Sequence, residues 1–331
     1  MNLAPASLPP ATTNRQEKKH FPLIRACTTA SIFLILLIHT TLRRTPVAEA
    51  YFHDLVPDPN MRAWTCHGRS QRDMVDRLCQ ANIIQSDVVR QVMYQVDRGN
   101  YYPSPEAAYQ DAPQSIGQGQ TISAPHMHAH ALEELAPYLK DKIQNDPSRP
   151  LKMLDVGSGS GYLTACLGRW VKPKEDEQDS SSTRNNKNIL GAAPGSQVFG
   201  IDVHRNLIDA SLQNIQRQDS DLLRSRTVSI ELGDGWKGLP EEAPFDAIHV
   251  GAAAAEFPTQ LCQQLSLGGV MIIPVGPQND AQALYKVVRV AEHDTFRKGD
   301  FSVRQLMGVR YVPLVHPNLS SSSPGKDKRQ Q

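Results

Sequence analysis

The sequence predicts an α/β fold of Rossmann-like type, a mostly parallel sheet with an antiparallel edge, and three observations carry that prediction. The first is the apolar run 151–154 leading into Asp155-Val156-Gly157-Ser158-Gly159-Ser160-Gly161, after which Leu163, Cys166, Leu167 and Trp170 recur at helical spacing. This is a buried strand turning through glycines into a helix. The second is the recurrence of short apolar runs at 197–202, 228–232, 247–250 and 270–274, with a helical segment near 258–265 before the last; such alternation marks a parallel sheet. The third is a closing pair of apolar runs, 283–290 and 309–314, placed to form the antiparallel edge.

The elements ahead of the glycine loop follow from caps and periodicity. Ser70 caps a helix with Met74, Val75, Leu78 and Cys79 inward, and Ser86 caps a second with Val88, Val89, Val92, Met93 and Val96 inward. Residues 100–122, with Pro103, Pro105, Pro113, Gly117 and Gly119, read as loop, and a helix is expected over 125–139. Between the glycine-loop helix and the strand at 197, residues 172–196 begin Lys-Pro-Lys-Glu-Asp-Glu-Gln-Asp and continue through Ser and Asn. That composition cannot bury a core, so it is expected to be a disordered insertion. The globular part is bounded at 61–318, with a polar, disordered tail at 319–331 and an N-terminal extension at 1–60.

The extension holds an apolar segment, 26–42, flanked by Arg25 on one side and Arg43-Arg44 on the other. It is short for a full span of about 20 apolar residues. Three readings stand: a single-pass signal anchor, an extension upstream of a working start at Met61, and a secretory signal ending at Ala48-Glu-Ala50. Arg43-Arg44 between core and cleavage site argue against the last. Net charge is +1, so no nucleic-acid partner is expected. The five cysteines show no C-x-x-C spacing, the usage of a reducing compartment, and place the globular part in the cytoplasm.

The glycine spacing is G-x-G-x-G, not the G-x-G-x-x-G of dinucleotide sites. It suits a ligand without a pyrophosphate, and S-adenosyl-L-methionine is such a ligand. Gly157, Gly159 and Gly161 would cradle its amino-acid end and Asp155 would meet its ammonium. Asp202, ending a strand, stands where a ribose diol is held. Asp234-Gly235, ending the next, is placed to accept from an adenine amino group.

The segment Gln120-Thr121-Ile122-Ser123-Ala124-Pro125-His126-Met127-His128 puts Ser123 where a helix N-cap belongs, with Pro125 in the first turn. A hydroxyl there is either a cap or a ligand for a carboxylate. His126 and His130 share a helix face, but no carboxylate or cysteine at ligand spacing joins them, and no metal is expected.

These residues carry a resemblance. Pro113-Gln-Ser-Ile-Gly117, Thr121-Ile-Ser-Ala-Pro-His-Met-His128, Leu154-Asp-Val-Gly-Ser-Gly-Ser-Gly-Tyr-Leu-Thr-Ala-Cys166, Asp246-Ala-Ile-His-Val-Gly-Ala-Ala-Ala254, Pro274-Val-Gly276 and Met307-Gly-Val-Arg-Tyr-Val-Pro-Leu314 resemble the protein-L-isoaspartate O-methyltransferase family over about 61–314. The resemblance implies the sheet of S-adenosylmethionine-dependent methyltransferases with its last strands exchanged. It implies methyl transfer to the free carboxylate of L-isoaspartyl residues in damaged proteins and peptides, carried out by a monomer. It further implies that Ser123 is the active-site serine, that Gln120, Thr121, Ile122, Ser123 and His128 border the cofactor, and that Asp155, Asp202, Asp234 and Gly235 bind it. The chain departs from the family in Gly119-Gln120, where Gln-Ala is common, and in Pro137 within a helix. Two other classes are a small-molecule carboxyl methyltransferase and a non-catalytic adaptor that keeps cofactor binding.

Overall fold

Two capped helices open the part of the chain that the computed structural model describes, which comprises residues 66–172, 192–278, 280–293 and 297–317. The extension 1–60 with its segment 26–42, the tail 319–331 and most of 172–196 lie outside the described residues. In α1 (Gln71–Gln80) the Ser70 hydroxyl accepts the Asp73 N–H at 3.2 Å, and in α2 (Asp87–Gln95) Ser86 accepts that of Val89 at 3.4 Å. Each satisfies one of the N–H groups that a helix start leaves open. Their buried faces are Met74, Val75 and Leu78, and Val89, Val92 and Met93.

The segment expected as loop contains more order than its composition suggested. After a 3₁₀ turn at Arg98–Tyr101 and the short α3 (Pro105–Ala108), β1 (Gln114–Gly117) and β2 (Gln120–Ile122) form an antiparallel hairpin, with Ser115 opposite Thr121. Helix α4 (Pro125–Asn145) then runs through Pro137 instead of ending before it. An interior proline costs about 3 kcal/mol. Leu132, Leu135 and Leu139 on the same helix are fully buried, and at roughly 1.5–3 kcal/mol each they outweigh it.

The remaining elements are β3 (Lys152–Val156), α5 (Tyr162–Val171), β4 (Gln197–Asp202), α6 (Arg205–Gln218), α7 (Ser220–Arg224), β5 (Val228–Leu232), β6 (Phe245–Val250), α8 (Thr259–Gln263), β7 (Leu265–Val275), β8 (Gln282–Arg289) and β9 (Phe301–Val309). Seven strands form one sheet in the order β5-β4-β3-β6-β7-β8-β9. The pairs from β5 to β7 are parallel; β8 and β9 add an antiparallel edge, as the sequence predicted. Successive residues serve opposite faces: Met153, Val198, Ala247 and Val270 enter one apolar cluster with α1, α2, α4 and α5, while Leu154, Phe199, Ile248 and Met271 enter another with α8. Because the chain leaves β3 for β4 on one side and later returns to β6 on the other, a crevice opens beyond the carboxyl ends of β3, β4 and β6.

Two boundaries differ from the sequence reading. The last strand is Phe301–Val309, not 309–314. Ser302, Val303, Arg304 and Gln305 are exposed on this edge strand, so an apolar run was the wrong signature for it. Residues 310–315 instead form a strap over the sheet's end, where Ala253 donates to the Val312 carbonyl and accepts from the Leu314 N–H, both at 2.8 Å.

The polar insertion is also shorter than 172–196. Lys172 Nζ donates to Asp221 at 2.7 Å, Ala192 and Ala193 are buried, and Ser196 accepts the Leu151 N–H at 2.9 Å. Replacing residues 173–191 with a short glycine-containing turn is therefore expected to leave melting temperature and turnover near wild type, since loop length costs little closure entropy. Extending the excision through residue 196 should lower the melting temperature by several degrees, because it removes the two buried alanines and the Ser196 clamp. Differential scanning calorimetry on both variants checks the pair. Among the described residues no helix is long and apolar enough to cross a membrane.

Candidate active site

The glycine loop leaves β3 with Gly157 at φ +77°, Gly159 at +54° and Gly161 at +83°, angles that L side chains rarely adopt. Gly161 occupies the N-cap of α5. The loop is tied to the end of β4: the N–H groups of Gly157 and Ser158 donate to the Ile201 carbonyl at 2.8 and 3.0 Å, and that of Gly159 donates to Asp202 Oδ2 at 3.1 Å. The other Asp202 oxygen accepts the His204 N–H at 2.9 Å. Asp202 thus holds the loop and, at the same time, walls a cleft. Burial pushes its pKa above the ordinary carboxylate value.

That narrow cleft is lined by Gln120, Gly157, Ile201, Asp202, His204, Gly235, Ala252 and the strap residues Pro313, Leu314 and Val315, among others. Three observations fit a cofactor of the S-adenosylmethionine kind here. A Cβ on Gly235 would stand 2.7 Å from Leu314 Cδ1 and 2.9 Å from Val156 Cγ1, so only glycine keeps this wall open. The imidazole Nε2 of His204 is buried with no hydrogen-bond partner. The wall also combines apolar surface with the one strand-end carboxylate of Asp202, a donor set suited to a ribose and not to a metal. No cluster of metal-ligating side chains occurs among the described residues.

Asp155 lies beneath the cleft, not in its wall. It is 1% exposed; Thr164 Oγ1 donates to one oxygen at 2.6 Å and His249 Nδ1 meets the other at 2.8 Å. The carboxylate therefore ties α5 to β6 under the loop, and the direct ammonium contact expected of it is not the geometry observed. Asp234 directly precedes Gly235, which lines the cleft. It accepts the Trp236 N–H at 3.0 Å, and Trp236 Nε1 donates to the Leu314 carbonyl at 3.1 Å, fastening the strap to this turn. His316 stacks on Trp236 with centroids 5.4 Å apart.

Ser123 sits between β2 and α4, half-buried. It is not the helix cap that its spacing suggested: the N-cap of α4 is Ala124, with no side-chain cap bond. Its carbonyl accepts from Arg98 Nη2 at 2.6 Å. Of the neighbouring residues, Gln120 lines the cleft, Thr121 is exposed and Ile122 is buried in the main apolar cluster. His126 pairs with Asp111 at 2.6 Å. His128 is buried against the Tyr162 ring and takes a hydrogen bond at its Nδ1 from Arg98 Nη1 at 3.1 Å, which leaves the proton on Nε2. Burial, reinforced by the Arg98 charge, holds this imidazole neutral by lowering its pKa well below the usual value.

Arg98 is the residue that sequence reasoning missed. Fully buried, it donates to the carbonyls of Ala108 and Ser123 at 2.8 and 2.6 Å and to His128, and it lies 5.3 Å from the centroid of the Tyr162 ring that opens α5. Burial lowers its pKa to about 10, still cationic at neutral pH. An arginine in a short loop between Asp97 and Gly99 reads as a surface charge, and no spacing sets it apart. Its three partners come from segments that only the fold brings together.

Comparison with known proteins agrees with this architecture. The family model described as protein-L-isoaspartate(D-aspartate) O-methyltransferase matches residues 69–319. A protein-L-isoaspartate O-methyltransferase of Triticum aestivum is 38% identical over 244 residues, 73% of this chain and 90% of that protein. That of Caenorhabditis elegans is 36% identical over 253 residues, 76% of this chain and 96% of its own length. A Plasmodium falciparum structure assigned to the same enzyme, in complex with S-adenosyl-L-homocysteine, superposes with a TM-score of 0.59 at 33% identity, covering 74% of this chain and 98% of that one. The chain belongs to the protein-L-isoaspartate(D-aspartate) O-methyltransferase family.

Proposed function

We propose that Ser123 orients an isoaspartyl carboxylate against a cofactor held by the glycine loop, Asp202 and Asp234-Gly235, so that this chain methylates L-isoaspartyl residues of damaged proteins. The observation that carries the reading is Ser123, freed from capping duty, on the segment that also brings Gln120 to the cleft. When bound, S-adenosylmethionine would supply a methyl group activated by positively charged sulfur. Gly157, Gly159 and Gly161 would leave room for its amino-acid end, Asp202 would accept from the ribose hydroxyls, and Asp234 from the adenine amino group.

The chain's own residues need only position the substrate. A carboxylate is ionised at neutral pH, so no general base is required. Consistent with this, the His128 imidazole on the same segment is committed to Arg98. Fixing the attacking oxygen near its target converts a chance encounter into a unimolecular step, a source of several kcal/mol. Arg98 holds the Ser123 backbone in place, and the β1–β2 hairpin packs over the loop: a Cβ on Gly159 would meet Ile116 Cδ1 at 3.2 Å. Esterification then lets the following main-chain nitrogen displace methanol, giving a succinimide whose hydrolysis restores part of the aspartate.

A cytoplasmic catalytic domain accords with Cys79, Cys166 and Cys262 being free thiols. The test of the functional reading is methyl transfer to an isoaspartyl peptide set against its aspartyl twin.

A further inference from the structure

We infer that the imidazole of His249 receives the ammonium group of the cofactor at its Nε2, and that Asp155 stands one step back as the positioning residue that holds this ring. The inference rests on the functional reading above and deepens it. The strand-end carboxylate expected at the ammonium serves it through a histidine.

The sheet places the ring. Asp155 and His249 are register partners on the parallel strands β3 and β6, so their side chains leave the same face side by side. His249 Nδ1 lies 2.8 Å from Asp155 Oδ1. A carboxylate only accepts, so Nδ1 carries the proton and the neutral ring turns a lone pair outward at Nε2. That nitrogen has no hydrogen-bond partner among the described residues, and it is not sealed off as the Nε2 of His204 is. The His249 side chain is 8% exposed, which makes Nε2 an enclosed acceptor without a donor.

The tip of the ring adjoins the cleft. A Cβ on Gly251 would stand 3.5 Å from His249 Cε1, the carbon bonded to Nε2, and 3.1 Å from the Gly157 carbonyl oxygen. Glycine leaves that space open, between the ring and the first glycine of the loop. Gly157 on one side of it and Ala252 on the other both line the cleft. This is the end of the cleft where the cofactor's amino-acid part is read. Of the two groups there, only the ammonium can donate to a lone pair; the carboxylate would be repelled by it. His128 has the opposite arrangement, taking a bond from Arg98 at Nδ1 and keeping its proton on Nε2. The buried carboxylate behind His249 further favours a cation in front of it, because little water screens the two charges.

The test compares two ligands on the full chain by calorimetry: S-adenosylhomocysteine, and the analogue in which hydrogen replaces its amino group. The wild-type chain should bind the first about ten- to a hundredfold more tightly, the effect of one hydrogen bond to a charged group. In His249→Asn the side-chain amide can still donate to Asp155 but falls short of the Nε2 position. The melting temperature should therefore change little, while the preference between ligands shrinks to about threefold or less. A role confined to packing would weaken both ligands alike and leave their ratio at the wild-type value, which would overturn the inference. Equal affinity of the wild-type chain for the two ligands would overturn it as well. A crystal structure of the wild-type complex reads the contact without any variant: the amino nitrogen should lie within about 3.2 Å of Nε2, and an amino group held elsewhere would contradict the assignment. Failure of the wild-type chain to bind S-adenosylhomocysteine at all would instead overturn the functional reading.

Discussion

Asp202→Ala is expected to weaken S-adenosylhomocysteine binding about a hundredfold or more, the largest single effect in the molecule. The carboxylate ends β4, walls the cleft and accepts the N–H groups of Gly159 and His204. Its loss removes a charged acceptor for the ligand and releases the glycine loop from the strand end. A hydrogen bond to a charged group contributes about 1.5–3 kcal/mol; with the loop also loosened, about 3 kcal/mol is a modest sum, and each 1.4 kcal/mol is tenfold in affinity. Calorimetric titration measures it directly, and unchanged affinity would remove Asp202 from the site. The pH dependence has a defined sign. Burial raises the Asp202 pKa, so as pH falls this acceptor is protonated sooner than an exposed aspartate, and affinity should begin to weaken above the ordinary carboxylate range.

Ser123→Ala is expected to lower turnover on an isoaspartyl peptide by roughly ten- to a hundredfold, the cost of one hydrogen bond to a charged group of about 1.5–3 kcal/mol. The affinity for S-adenosylhomocysteine should not change, because Ser123 does not line the cleft whereas Gln120 does. Stability provides the decisive control. A lost N-cap costs about 1 kcal/mol, which in a domain of this size lowers the melting temperature by roughly 2–4 °C. The cap position of α4 belongs to Ala124, without a side-chain bond, so the melting temperature of the variant should stay at the wild-type value. A fall in stability with unaltered turnover would return Ser123 to a structural role.

What could be read from the sequence was whatever depends on local pattern. The capping serines Ser70 and Ser86 announce their helices through one side-chain bond each. The left-handed angles of Gly157, Gly159 and Gly161 demand glycine wherever the loop is placed. Buried β3, β4 and β6 show as apolar runs because both faces are covered. The missed features share the opposite property. Strand β9 is held by its ladder to β8 and leaves Ser302–Gln305 in solvent, so its composition does not differ from that of a loop. The β1–β2 hairpin is short and polar, with its turn at Gly117–Gly119. Asp155 looked like a ligand because a strand-end acid before a glycine loop faces a cleft in many sheets; here Thr164 and His249, nine and ninety-four positions away, claim it. Arg98 gains its meaning only from its contacts with Ala108, Ser123 and His128 in the folded chain.

The measurement that bears most directly on the reaction assigned to this chain is the initial rate of label transfer from S-adenosylmethionine to two peptides alike except at one residue, L-isoaspartate or L-aspartate. Label should enter the isoaspartyl peptide as an alkali-labile ester, with no transfer above background to the aspartyl peptide, and repeated rounds should convert isoaspartate to aspartate. Equal transfer to both peptides, alkali-stable label, or no transfer to either would contradict the assignment.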